Sequence, residues 1–142
     1  MIGNHRERLI FHGSIVILAG LLISILAVVG LLGDEFRGWN TVHLPLIVIG
    51  IWMVAMAAVF PSLVLPRGDA SALVWSLLIA GYGVMIATPI EAINGVRAIQ
   101  PSGPVFHIVA FMANVLVLGG ITLTALLTLK GIRAAQKERD SK

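Results

Sequence analysis

The sequence predicts an all-α, polytopic membrane protein: four transmembrane helices in an antiparallel up-down bundle, forming one domain. Three observations carry this. Of the 142 residues, 58% are hydrophobic and 12% charged, whereas soluble domains run near ~45–50% apolar and ~25% charged. Four apolar segments each reach the ~20 residues a helix needs to cross a bilayer core. The connections between them are short, which forces neighbouring helices antiparallel. None of the segments alternates with period two, so a β-barrel is disfavoured. With no cysteines, disulfides, thiolate metal sites and cysteine nucleophiles are excluded.

The first segment covers about residues 9–33. Arg6 and Arg8 precede it, as in a signal peptide, but the apolar run is too long for a signal h-region and no convincing cleavage site interrupts it. The second covers about residues 42–65, with Thr41 or Asn40 placed to cap it and Pro45 in its first turn, where the missing N–H costs little. Pro61 and Ser62 end it. The third covers about residues 71–93 and contains Pro89, which frees the carbonyl of Met85 and predicts a kink. The fourth covers about residues 105–130. The polar tail, residues 134–142, is expected to fray.

Arg6, Arg8, Arg67, Lys130, Arg133, Lys137, Arg139 and Lys142 fall on one side of this topology; Arg37 and Arg97 fall on the other. By the positive-inside rule both termini face the cytoplasm, and the expected location is the inner (cytoplasmic) membrane of a bacterium. The net charge of +3 and pI near 10.0 follow from that asymmetry. They fit anionic headgroups better than nucleic acid, because no aromatics interleave the basic tail.

Polar residues at membrane depth are the informative positions. His5 reads as solvated surface. His12, near the cytoplasmic end of the first helix, reads as a headgroup-level residue bonded to a neighbouring helix or lipid, or as a ligand or catalytic group. His43 lies in the first turn of the second helix, beside Trp39. Its face continues through Leu46, Ile47 and Gly50, and the small Gly50 leaves room for a flat group beneath the imidazole. His107 opens the fourth helix on the same outer side. The pair could share a metal or the two faces of a haem, or each could be merely interfacial.

In the third helix, Thr88 could satisfy the carbonyl freed by Pro89. Glu91 and Asn94 share a face: Glu91 could pair with Arg97, or the two could rim a cavity. Tyr82, between Gly81 and Gly83, needs a partner for its hydroxyl, and the glycines admit a helix or a ligand. Asn114, deep in the fourth helix, is expected to bond across helices. Small residues such as Gly20, Ala57 and Gly120 permit close helix approach, some of it between copies.

Several segments, taken in order and spacing, resemble the styrene oxide isomerase family, small four-helix membrane enzymes that bind haem b. The run Arg8-Leu9-Ile10-Phe11-His12-Gly13 looks like the family's basic start ending in His-Gly. Leu31-Leu32-Gly33-Asp34-Glu35-Phe36 closes the first helix in the family's manner. Gly38-Trp39-Asn40-Thr41-Val42-His43 looks like its Gly-Trp-x-x-x-His, and Val59-Phe60-Pro61-Ser62-Leu63 ends the second helix. Gly50 and Gly81 fall at family glycines. The likeness covers most of the chain and weakens in the fourth segment.

The resemblance implies that His43 is the axial haem ligand; Trp39, Gly50 and His107, placed near it by the reading above, are the other candidate cofactor contacts. It implies a homotrimer with haem near the subunit contacts. The implied reaction converts an apolar aryl epoxide to an aldehyde, with no cosubstrate: ferric haem acts as the Lewis acid, and a hydride shift follows in a dry site. The sequence departs from the family pattern at two residues, and it lacks a longer family insertion before Gly38-Trp39. Ile49 stands where the family has asparagine, and Thr88 where it has a tyrosine. Tyr82, Thr88, Asn94 and Glu91 are the candidates for replacement donors. The alternatives are a membrane haem protein for electron transfer or sensing, and a cofactor-free membrane subunit or small transporter.

Overall fold

The computed structural model describes residues 2–29, 36–94, 100–101 and 103–141. It contains four α-helices: α1 (Ile2–Val28), α2 (Phe36–Val59), α3 (Arg67–Asn94) and α4 (Val105–Asp140), with a single 3-10 turn, Phe60–Ser62, after α2. No strand occurs among the described residues. All four helices are long and apolar enough to cross a membrane, so the chain is an integral membrane protein.

The helices are offset from the apolar runs that announced them. α1 begins at Ile2 rather than near Leu9, because Arg6, Glu7 and Arg8 continue the helix although they do not belong in hydrocarbon. α2 begins at Phe36, so Asn40 and Thr41 lie within it rather than at its start. Pro45 is interior, not in the first turn, and leaves the Thr41 carbonyl without its usual donor four residues on. α4 runs to Asp140, so the tail expected to fray is helical. At 1.5 Å per residue, the 36 residues of α4 span about 54 Å, well beyond a ~30 Å hydrocarbon core. Lys137 and Arg139 close its last turn, where cations offset the helix dipole.

Glycines set how the helices meet. A Cβ on Gly13 would stand 2.9 Å from the Gly50 carbonyl oxygen, and one on Gly20 would stand 3.0 Å from the His43 carbonyl oxygen. α1 and α2 are therefore antiparallel with backbones in near contact. α3 and α4 repeat the device at Gly83, against Val117 and Ala113, and at Gly120, against Ser76 and Ala80. The buried side of α4 reads Ala110, Ala113, Val117, Gly120, Thr124, Leu127, Gly131, a spacing of three and four that keeps one stripe on α3. Ser76 and Thr124 hydrogen bond across this seam at 2.7 Å, and both are buried.

α3 is the central helix. Gly81 meets Met53 of α2 and Val16 of α1, while Gly83, two residues on and so on the opposite face, meets Val117 of α4. α2 and α4 thus lie on opposite sides of α3. The outward faces carry large exposed apolar side chains, among them Leu18, Leu22 and Ile25 on α1, Val48 and Ile51 on α2, and Leu116, Leu118 and Leu126 on α4. In water such a surface would aggregate; in a bilayer it is solvated.

Candidate functional site

His43 lies two turns inside α2 and is half-buried. Its backbone abuts Gly20 of α1. The flat cradle expected at Gly50 is not there: a Cβ on Gly50 would stand 2.6 Å from Ile17 Cγ1 and 2.8 Å from the Gly13 carbonyl oxygen. Gly50 serves the α1–α2 contact, so its smallness is spent on packing. Next to His43 in the chain, Leu44 is 56% exposed on the outward side of α2. The Trp39 side chain lies outside the described residues.

His107 sits in the first turn of α4 and is half-buried, edge-on to Phe106 with ring centroids 4.7 Å apart. Its Nδ1 would be 2.8 Å from a Cβ on Gly103, whose φ of 99° already favours glycine. The two histidines do not face each other within one chain, because α3 separates α2 from α4. Among the described residues no group of three or more His, Asp or Glu side chains could hold a bare metal ion.

His12 meets a neighbouring helix, as one branch of the sequence reading has it. It is ten residues into α1, about 15 Å from the helix start, and its Nδ1 shares a hydrogen bond with the Tyr82 hydroxyl at 2.7 Å. The two rings are edge-on, with centroids 5.7 Å apart. The glycines beside Tyr82 admit neighbouring helices, through Met53 and Val117, rather than a ligand.

Thr88 donates to the Val84 carbonyl at 2.8 Å, one residue short of the Met85 carbonyl it was expected to satisfy. Asn94 donates to the Ile90 carbonyl at 2.7 Å. Asn114 bonds across helices as expected: its amide donates to Glu91 Oε1 at 2.9 Å. The Arg97 expected to pair with Glu91 lies outside the described residues. Ile49, at the family's asparagine position, is 5% exposed and part of the apolar core.

Depth relates these groups. Met53 of α2 lies over Gly81 of α3. His43 and Glu91 are each ten residues from that crossing, on antiparallel helices, so both stand about 15 Å toward the end away from the termini. A half-buried imidazole and a half-buried carboxylate held by Asn114 therefore share a level of the membrane. The His12–Tyr82 pair lies deeper, near the crossing. Sequence reasoning missed that pairing, although two polar rings at one depth on helices one and three were a signal for it.

The family model described as styrene oxide isomerase matches residues 5–133. No curated protein and no solved structure matches the chain.

Proposed function

Because the chain belongs to the styrene oxide isomerase family, we propose that it is a membrane isomerase converting a small apolar epoxide into its aldehyde, with haem b held by His43. The observation that carries this is the family match, which spans all four helices and takes in His12, His43, Tyr82, Thr88, Glu91, Asn94, His107 and Asn114.

The residues present fit a haem in one respect and redirect it in another. His43 is a nitrogen donor on an apolar helix, and exposed Leu44, Val48 and Ile51 offer a greasy wall beside it. Since Gly50 is closed by Ile17, the macrocycle would lie toward the outer face of α2 and be covered by a second copy, in keeping with a homotrimer. When bound, haem supplies a Lewis-acidic iron for the epoxide oxygen.

This chain's residues supply the rest. The apolar wall excludes water, which would otherwise trap the opened epoxide as a diol. The Glu91 carboxylate, oriented by Asn114, offsets positive charge that develops on the benzylic carbon as its C–O bond breaks. The hydride that then moves to that carbon comes from the neighbouring one, so oxidation and reduction cancel within the substrate. Both termini face the cytoplasm in this reading, and the substrate enters from the bilayer.

Detergent-purified protein should show a Soret band, and His43→Ala should abolish it. With styrene oxide and no reductant, the parent protein should release phenylacetaldehyde. Full pigment in the His43→Ala protein would overturn the ligand assignment. One observation favours a second reading, a haem protein without isomerase activity: buried Ile49 has no polar side chain and Thr88 is bonded to Val84, so neither offers a ready donor to an epoxide. Bound haem with no aldehyde from any aryl or alkyl epoxide would decide for it.

A further inference from the structure

At the end of the bundle that carries both termini, far from His43, lies a cavity of about 430 Å³, within the size range of small-molecule sites. Its walls come from three elements. His5 enters from α1, Phe60, Leu63 and Leu65 from the α2–α3 connection, and Arg67 and Ala70 from the first turn of α3. The cavity is thus apolar on one side and cationic on the other.

Three features point to an anion at the cationic side. Arg67 opens α3, where the first backbone N–H groups have no intrahelical acceptor. A Cβ on the adjacent Gly68 would meet nothing within 4 Å, so the approach is open. The nearby acid, Asp69, is paired with Lys130 at 2.5 Å, so its charge is offset. The imidazole of His5 adds a further one. Its Nδ1 is buried without a hydrogen-bond partner, while the ring packs 5.8 Å from the Phe60 ring. A buried ring nitrogen with no acceptor nearby is least costly as a bare lone pair. The neutral ring is accordingly assigned its proton on Nε2, which makes that nitrogen a donor.

We propose that this cavity binds the phosphate of an anionic phospholipid, held by the Arg67 guanidinium and by His5 Nε2–H. The glycerol and first methylenes lie along Phe60, Leu63 and Leu65, and the acyl chains continue into the bilayer. A soluble anion would not need that apolar wall, and a neutral lipid would not need Arg67 and His5. The position also suits a lipid, because the cavity lies where three of the membrane-spanning helices begin or end, at the depth where basic side chains meet headgroups.

The test uses the full chain in mild detergent, with bound lipid counted by native mass spectrometry and stabilisation read from thermal shifts. The probes are dioleoyl phosphatidylglycerol, dioleoylglycerol with the same tails, and inorganic phosphate. Phosphatidylglycerol should bind at least about tenfold more tightly than dioleoylglycerol, and millimolar phosphate should not displace it. Arg67→Gln should weaken phosphatidylglycerol binding about tenfold, since it removes a charge-assisted contact. Ala70→Glu places a carboxylate on the cavity wall, in a helix first turn that tolerates acids, and should also expel the lipid. It keeps the test independent of how well Arg67→Gln folds. Equal binding of the two lipids would make this a plain greasy cleft, and displacement by phosphate would make it a soluble-anion site. Either result overturns the proposal, as would unchanged lipid binding in Arg67→Gln and Ala70→Glu. The haem spectrum is not a readout here, so failure leaves the reading at His43 untouched.

Discussion

Tyr82→Phe removes one oxygen atom and leaves His12 Nδ1 without its 2.7 Å partner near the middle of the bundle. Hydrogen bonds between membrane helices are worth roughly 1 kcal/mol, and a buried polar atom left unpaired raises the loss toward ~1–3 kcal/mol. The variant should therefore melt a few degrees lower in detergent, with its helix content retained at low temperature. An unchanged melting temperature would mean that the contact contributes no net stability. The sequence concealed this pair because it places His12 on helix one and Tyr82 on helix three but does not say which faces of those helices meet. The placement of His43 on the second helix was legible in the sequence. The use of Gly50 was not, since a glycine that admits a cofactor and one that admits a helix leave the same mark in a sequence. Glu91 shows the same ambiguity: its position on helix three could be read, but its Asn114 partner comes from 23 residues further along the chain.

At the scale of elements, neighbouring glycines of α4 give opposite expectations. A Cβ on Gly120 would stand 2.5 Å from the Ser76 carbonyl oxygen and 3.2 Å from Ala80 Cβ, whereas one on Gly119 would meet nothing. Gly120→Ala must push α4 off α3, and the Ser76–Thr124 hydrogen bond at 2.7 Å goes with it. Overpacking of this kind costs ~1–3 kcal/mol, while Gly119→Ala gains a little helix propensity. Thermal unfolding of the two variants side by side should show loss for the first and none for the second. Comparable losses in both would show that the outer face of α4 is covered, for instance by another copy. The existence and order of these helices were plain from hydropathy; their ends were not. Hydropathy reports where lipid must be met, but backbone hydrogen bonding continues into water until something stops it. Nothing stops α4 before Asp140, since no proline or glycine occurs between Gly131 and the end of the chain. At the start of α2, Asn40 or Thr41 was expected to cap the helix, yet it runs through both from Phe36.

At the scale of the whole molecule, packing and charge specify the same axis. His5 of α1 stacks near Phe60, after α2; Asp69 of α3 pairs with Lys130 of α4; and the Val64 N–H donates to the Gly131 carbonyl. These contacts draw the start of α1, the end of α2, the start of α3 and the later part of α4 to one end, so Arg6, Arg8, Arg67, Lys130, Arg133, Lys137 and Arg139 collect there. Moving such an end across the bilayer during insertion is disfavoured, and basic residues in short flanks set the orientation. Since the chain has no cysteine, single substitutions can be labelled without background. Asn4→Cys and Ser141→Cys should both resist a membrane-impermeant maleimide in intact cells and react after the cells are broken. Pro101→Cys, exposed at the opposite end, should react in intact cells once the reagent passes the outer envelope. The reverse pattern for all three sites would invert the orientation and put His43 near the cytoplasmic leaflet. Labelling of only one terminus in intact cells would mean an odd number of crossings, which four antiparallel spanning helices forbid. The expected pattern leaves His43 and Glu91 in the outer half of the bilayer, so an epoxide dissolved in that leaflet would reach the imidazole level without crossing the charged end.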